Sequence, residues 1–381
     1  MKYKKILFVT TRYPFPVTGG DKLRISEIMR FLSKKNKIDL ISIGNERKKI
    51  NFIEKQYIFK NNIINKIFYI LKSFFKNEPL QVGLYKLPLM KKKIGEICGD
   101  YDVIIFHLIR STYYFSDTFK GIKILEMTDL ISKNYETVEK NLSFINPLKY
   151  IYKYEKIKLK SYEINQSKKF DKIVFVNKQD IYNSNIKDNK KIIVIGNGTH
   201  LKENVFFKNK NKKNIIFFGN INSLANRDAC IDFIDNYLPT LKKNYPNLEF
   251  KIFGNCSKIL KIFFNLKGIE VKSNINNLKF YCKNTLAGIC NVKIQSGLQN
   301  KILDYTSIGL PVIINTISNN FKLLKGKNIL VYKDKSEFFF NLNKLFKNNN
   351  LRNKISNMNF NKTKKHFMWK KILINYSNII K

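Results

Sequence analysis

The residues of this chain best suited to chemistry are Gly297, Lys301 and Asp304, spaced along SGLQNKILDYTSIGLPVII, residues 296–314. Leu298, Ile302, Leu303 and Ile308 recur there at the spacing of a helix with one buried face. A helix opening at Gly297 offers unpaired backbone N–H groups and the positive end of its dipole, which suit a pyrophosphate without any side chain. Lys301 adds a full charge one turn in. Asp304 lies about two turns from the start, where its carboxylate can accept hydrogen bonds from both hydroxyls of a ribose. Gly309 and Pro311 stop the helix, and Leu310 to Ile314 follows as a buried, mostly β-branched strand. The segment is a candidate nucleotide-sugar site, with Ser296, Gly297, Leu298, Gln299, Lys301 and Asp304 on the donor.

Further candidates stand at the ends of apolar runs. Gly19 and Gly20, followed by Asp21, lie in the loop after the first strand, where adjacent glycines let backbone approach a ligand closely. Arg12 and Arg24 flank that loop as possible phosphate binders. His107 closes the run VIIFH, with Arg110 one turn beyond it. In ILEMTDL either Glu126 or Asp129 can act as an acceptor-side base or a sugar-hydroxyl ligand, and helix capping by Asp129 is the alternative.

The elements that must position these residues alternate. Ile6 to Thr10 reads as a strand, 11–21 as a Pro/Gly-rich loop and 22–32 as a helix; further strands are expected at 38–43, 103–106, 122–125, 173–176 and 192–195. After the KNKNKKN run at 208–214 the alternation restarts at 215–218, 250–253, 286–290, 310–314 and 329–331. Such alternation implies an α/β chain with mostly parallel sheets covered on both faces. The division falls near residue 205, giving a first domain over 1–205 and a second over 206–363.

The pattern G-x-x-x-K-x-x-D/E, followed by small residues, Gly, x, Pro and a β-branched run, resembles the donor motif of glycosyltransferase family 4. The resemblance extends to TTRYPFPVTGGDKLRISEIMRFLSKKNKIDLISI, to FDKIVFVNKQDI with VIGNGTH, and to FFGNINSLANRDACIDFIDNYLPTLKKNYPNLEFKIFG. It implies the GT-B fold, two Rossmann-like domains facing each other across a cleft, and a helix at 364–381 that packs back on the first domain. It also implies a retaining transfer of sugar from a nucleoside diphosphate to a glycan or lipid-linked acceptor, as in bacterial surface polysaccharide synthesis. In that scheme His107 hydrogen-bonds a hydroxyl of the transferring sugar, a satisfied structural histidine being the alternative, and Asp129 serves the acceptor side. Gly19 and Gly20 meet the donor diphosphate or the acceptor, and no metal or other cofactor is required. The chain departs from the family pattern at three places. Asn220 stands where relatives carry arginine, leaving Arg227 and Lys301 to supply charge, and Ala225 replaces the proline before Asn226. Ser296 occupies the first acid position of the E-x7-E spacing, eight residues before Asp304. These departures motivate a rival reading, a protein that binds nucleotide sugar without turning it over.

Composition narrows the partners. The 381 residues include 71 Lys plus Arg against 28 Asp plus Glu, a formal charge of +43. The excess is spread over almost every segment with abundant Asn, Ile and Phe, a bias of A/T-rich coding, and no nucleic-acid-binding motif accompanies it. No nucleic acid is expected, a basic nucleic-acid-binding protein being the less favoured alternative function, whereas an anionic membrane attracts any strongly basic surface. The five cysteines stand singly, without metal-type spacing, which points to a reducing, cytoplasmic setting. No apolar run reaches the roughly twenty residues of a spanning helix, so membrane contact is expected to be peripheral. The stripe Ile63, Ile64, Ile67, Phe68, Leu71, Phe74 and Phe75 is that of a helix packed on a sheet, the preferred reading, with a membrane-resting face as the alternative. The segment 150–162 shares that ambiguity.

Overall fold

The computed structural model describes residues 3–45, 48–186, 188–201, 212–273, 275, 278–293, 299–318 and 328–381. Its chain forms two compact units, one of Met1–Gly196 with Leu373–Lys381, the other of Asn197–Ile372.

In the first unit the strands are β1 (Lys5–Thr10), β2 (Lys37–Ile43), β3 (Lys55–Phe59), β4 (Val103–His107), β5 (Ile122–Thr128), β6 (Lys172–Phe175) and β7 (Ile192–Val194). They pair in parallel in the order β3-β2-β1-β4-β5-β6-β7. Burial on both faces explains their near-continuous apolar sequences: Ile6, Leu7, Phe8 and Val9 are fully covered, as are Val103 and Ile105. The sheet order reverses between β1 and β4, so the carboxyl ends of these two strands flank the position where open α/β sheets hold ligands. Leu373–Lys381 completes this unit, and Lys4 Nζ donates to the carbonyls of Ile380 and Lys381.

The second unit contains β8 (Asn214–Phe218), β9 (Glu249–Phe253), β10 (Glu270–Lys272), β11 (Thr285–Cys290), β12 (Val312–Asn315) and β13 (Ile329–Tyr332). They are parallel in the order β10-β9-β8-β11-β12-β13, with the reversal between β8 and β11. Phe217, Phe233, Phe250 and Phe338 pack together in its core.

The Ile63–Phe75 helix differs from the preferred expectation. Asn62 caps it by accepting from the Asn65 N–H at 2.8 Å, but its apolar stripe does not face a sheet. Ile63, Ile64, Ile67, Phe68, Leu71, Phe74 and Phe75 are all exposed, Phe75 at 80%. Periodicity reports that a helix has an apolar face; it does not report what that face meets. Among the described residues no helix is long and apolar enough to cross a membrane.

Candidate functional site

In the second unit the site begins where β8 ends. The strands β8 and β9 finish in matching F-G-N triplets, 218–220 and 253–255. The Gly219 N–H donates to the Phe253 carbonyl at 3.0 Å and the Ile221 N–H to the Asn255 carbonyl at 2.8 Å, so the ladder continues into the loops. Gly254 has φ +129°, and a Cβ there would lie 2.0 Å from the Gly219 carbonyl oxygen. Only glycine permits that approach. The loop after β8 is then braced from its own side chains: Asn226 Nδ2 and Ser223 Oγ both donate to the Asn220 carbonyl at 2.9 Å.

Asn226 is held in turn by Lys301, whose Nζ donates to Asn226 Oδ1 at 2.6 Å and lies 3.9 Å from the centre of the Phe217 ring. Lys301 is buried, and desolvation lowers its ammonium below the ordinary lysine range. Its charge is thus directed beneath the β8 loop through Asn226. Arg227, in the first turn of the Leu224–Asn236 helix, is half-buried. Asp304 follows Lys301 on the Asn300–Ser307 helix and is partly exposed, with its charge acting on the lysine. Tyr305 fixes that helix to the sheet. Its hydroxyl accepts from the Phe218 N–H at 2.7 Å, and its ring fills the space over Gly288, where a Cβ would come within 2.6 Å of it.

Ser296, Gly297 and Leu298 lie outside the described residues. The helix that they were expected to open begins instead at Asn300, behind Gln299 in extended backbone. Asn300 Oδ1 accepts from Asn197 Nδ2 at 2.8 Å, which ties this start to the turn at 197–199.

In the first unit the candidates gather at the carboxyl edge of the sheet. His107 is the last residue of β4 and is 5% exposed; its Nε2 is buried with no hydrogen-bond partner among the described residues. Burial, reinforced by the Arg110, Arg24 and Arg12 charges and opposed by Asp21, brings its pKa down to about 3. A neutral imidazole with a free ring nitrogen can exchange a hydrogen bond with a hydroxyl. Leu108 and Thr128, beside the ends of β4 and β5, both have positive φ, +66° and +65°, as backbone strained at a site often does. Arg110 is clamped by Thr11 Oγ1 at 2.9 Å and Gln81 Oε1 at 3.0 Å.

Gly19 has φ −168°, extended backbone that any residue adopts, so this glycine contributes room and not a forbidden angle. Gly20 opens the helix Gly20–Leu32. Asp21 pairs with Arg12. Burial works to raise the Asp21 carboxyl, but the Arg12 and Arg110 charges and the Lys22 N–H together hold it below the ordinary range.

Arg24 cannot take a phosphate. It is 1% exposed, its Nε meets Glu126 Oε1 at 2.9 Å, and its Nη1 donates to the Gly196 carbonyl at 2.9 Å. That pairing also decides between the two acids of ILEMTDL. Glu126 is fully buried, whereas Asp129 is partly exposed and stands outside the helix Ile131–Asn141, whose cap is Leu130, so it is not a capping residue. Desolvation, with the Asp180, Glu126 and Asp21 charges and against that of Arg24, raises Asp129 to about 7. A carboxylate poised there can take a proton from an attacking hydroxyl. The one D-x-D triplet of the sequence, Asp100 to Asp102, lies at the other end of the sheet, where Asp102 Oδ2 accepts from the Lys5 N–H at 2.8 Å.

The structure therefore brings Asn220, Lys301 and Asp304, with Arg227 nearby in the chain, to one sheet edge, and His107, Asp129, Gly19 and Gly20 to another. Gly254, Asn300 and Gln81 were not anticipated. The repeated F-G-N triplet was the available signal for Gly254; nothing local marks Gln81, which is 29 residues from its partner Arg110.

Residues 212–348, within the second unit, match the family model described as glycosyl transferases group 1. No curated protein matches the chain by sequence. Among solved structures the chain is similar to Anabaena HepE in complex with UDP, at 13% identity and TM-score 0.70 over 98% of both chains. It is also similar to WaaG, a glycosyltransferase involved in lipopolysaccharide biosynthesis, at 12% identity and TM-score 0.71 over 98% of this chain and 99% of that one. A glycosyltransferase from Rickettsia africae ESF-5 matches at 14% identity and TM-score 0.66 over 100% and 98%. The fold is that of GT-B glycosyltransferases.

Proposed function

We propose that this chain, with a glycosyl transferases group 1 domain over residues 212–348 and the GT-B fold, moves a sugar from a nucleoside diphosphate onto a glycan or lipid-linked acceptor of a cell-surface polysaccharide. The observation that carries the reading is the cluster at the β8 end, where Lys301, Asn226 and Asn220 form one hydrogen-bonded chain with Asp304 a turn away, at the sheet's topological switch. The diphosphate is held by backbone N–H groups of the β8 loop, with Arg227 and Lys301 supplying positive charge. Asp304 accepts from the ribose hydroxyls. His107, kept neutral, positions the transferring sugar, and Asp129 receives the proton of the acceptor hydroxyl. Transfer is retaining, with catalysis resting on stabilisation of the departing diphosphate, and the scheme calls on no divalent metal. The enzyme works on the cytoplasmic side of the membrane that carries its acceptor.

Titration calorimetry with UDP, GDP, ADP and TDP and their sugar conjugates, on wild type and on Asp304→Ala, tests the reading. UDP comes first, because HepE has been solved with UDP and UDP-glucose. Micromolar binding of one diphosphate, lost in the variant, supports it; binding of none by wild type overturns it. Burial of the Lys301 ammonium against Asn226, with Asn220 in place of a cation, favours a second reading in which the donor binds without turnover. Sugar release in a transfer assay separates the two.

A further inference from the structure

We propose that the first unit docks on an anionic lipid bilayer through one face, made of the Ile63–Phe75 helix and residues 142–151. The inference concerns a partner of the whole chain and stands or falls independently of the sugar-transfer reading.

At about 100° per residue, the seven exposed apolar residues of the helix fall within an arc of roughly 140°. Tyr69 and Ser73 lie on the opposite side, and there the helix is seated flush: a Cβ on Gly83 would come within 2.6 Å of Ser73 Oγ and of the Tyr69 carbonyl. The helix is thus fixed to the protein by its less apolar side and presents its most apolar side outward. Lys66 and Lys72 fall on the two flanks of the arc, where their aliphatic stems can lie along an apolar surface and carry the ammonium groups outward to lipid phosphates.

The second segment continues this surface. Phe144 is 72% exposed and Ile145 76%, with Ile151 also exposed on the following helix, Leu148–Ser167. Tyr150 Oη donates to the Phe144 carbonyl at 3.3 Å, which folds the segment back on that helix. Tyr154, one turn after Ile151, meets the Phe74 ring at 5.6 Å between centroids, and its hydroxyl donates to the Glu78 carbonyl at 3.3 Å. The two apolar stretches therefore adjoin.

Charge identifies the occupant. No acid occurs between Glu54 and Glu78 or between Glu139 and Glu155, while Lys66, Lys72, Lys76, Lys149 and Lys153 fall in those intervals. A second copy of a chain carrying +43 would bring like charge to this face, whereas an anionic bilayer brings both the apolar phase and the counter-charge. So large a run of exposed apolar side chains needs a partner.

Co-sedimentation of the full chain with vesicles of phosphatidylcholine alone, or mixed with phosphatidylglycerol, tests the proposal. Wild type should pellet with the mixed vesicles and far less with phosphatidylcholine. Phe68→Ser/Leu71→Ser and, separately, Phe144→Ser/Ile145→Ser should each weaken vesicle binding about tenfold or more. These residues are exposed, and unchanged circular dichroism of either pair verifies the fold. Wild type remaining in the supernatant overturns the proposal, as does pelleting of both variants with wild-type affinity. So does sedimentation velocity showing a wild-type dimer that the variants abolish, which would assign the face to a second copy. Calorimetry with UDP on the same variants should match wild type whatever the vesicle result, which separates loss of docking from failure of the donor site.

Discussion

Replacing Arg24 by methionine should destabilise the first unit in a pH-dependent way, whereas replacing its partner Glu126 by glutamine should destabilise it at every pH. The pair is covered to 1% and 0% exposure and joined at 2.9 Å, so neither charge can recruit water when the other is lost. In Arg24→Met the orphaned carboxyl escapes by binding a proton. Holding it neutral at pH 7, against an ordinary glutamate value of 4.5, costs about 3 kcal/mol at about 1.4 kcal/mol per pH unit. Because the folded-state value is raised, stability is retained near pH 4.5 and lost as pH rises; at pH 5 the cost shrinks below about 1 kcal/mol. The guanidinium left in Glu126→Gln has no such escape, since it does not deprotonate at any working pH, and the penalty of about 3–5 kcal/mol should be flat from pH 5 to 8. Arg24→Met/Glu126→Met should recover most of the loss. Urea unfolding followed by circular dichroism measures this. Trp369, the single tryptophan, belongs to the second unit, so its fluorescence transition should stay in place as an internal control. Equal loss for Arg24→Met at pH 5 and pH 7, or a loss under about 1 kcal/mol at pH 7, would refute the reasoning.

Three other expectations follow from the site. His107 is held at about 3 when folded against 6.5 in a free chain, so the unfolded state binds its proton first and stability falls as pH drops below 6.5. His107→Gln should remove that loss, giving a gap from wild type of about 2 kcal/mol at pH 5 and none above pH 7.5; unfolding curves that stay parallel across this range argue against the buried imidazole. Gly254→Ala should cost about 3 kcal/mol or more, read from the Trp369 transition, because its Cβ would overlap the Gly219 carbonyl at a φ of +129°. Lys301→Met should lower diphosphate affinity about tenfold while leaving stability unchanged or raised, since a desolvated ammonium is replaced by an apolar chain of similar length; equal affinity by calorimetry would remove Lys301 from the site.

Much of the architecture was legible because parallel strands buried on both faces write themselves as apolar runs. KILFVT, VIIFH and TLAGIC could be little else. The edge strands β3 and β10 were not foreseen: KQYIF and EVK are short, charged at their starts and paired on one side only, so they carry little of that signal. The site divided along similar lines. His107 and Asp129 were singled out for their position at a strand's end, which sequence reports and the structure bears out, whereas the contacts of Arg24 and Lys301 depend on where long side chains turn. The partner of Arg24 is 102 residues away, and no local pattern predicts that contact. The Ile63–Phe75 helix shows the same boundary from the other side, its periodicity evident and its environment set by tertiary packing.

The return of Leu373–Lys381 to the first unit makes the second unit an insertion, entered after Gly196 and left after Ile372. During synthesis the first unit cannot acquire Leu373–Lys381 until the whole of the second has emerged, although Lys4, whose Nζ donates to the carbonyls of Ile380 and Lys381, precedes both. The nested unit is uninterrupted in sequence and can fold as it is made, while the enclosing one waits. A stop codon that removes only the tail would therefore damage the unit whose larger part was translated first.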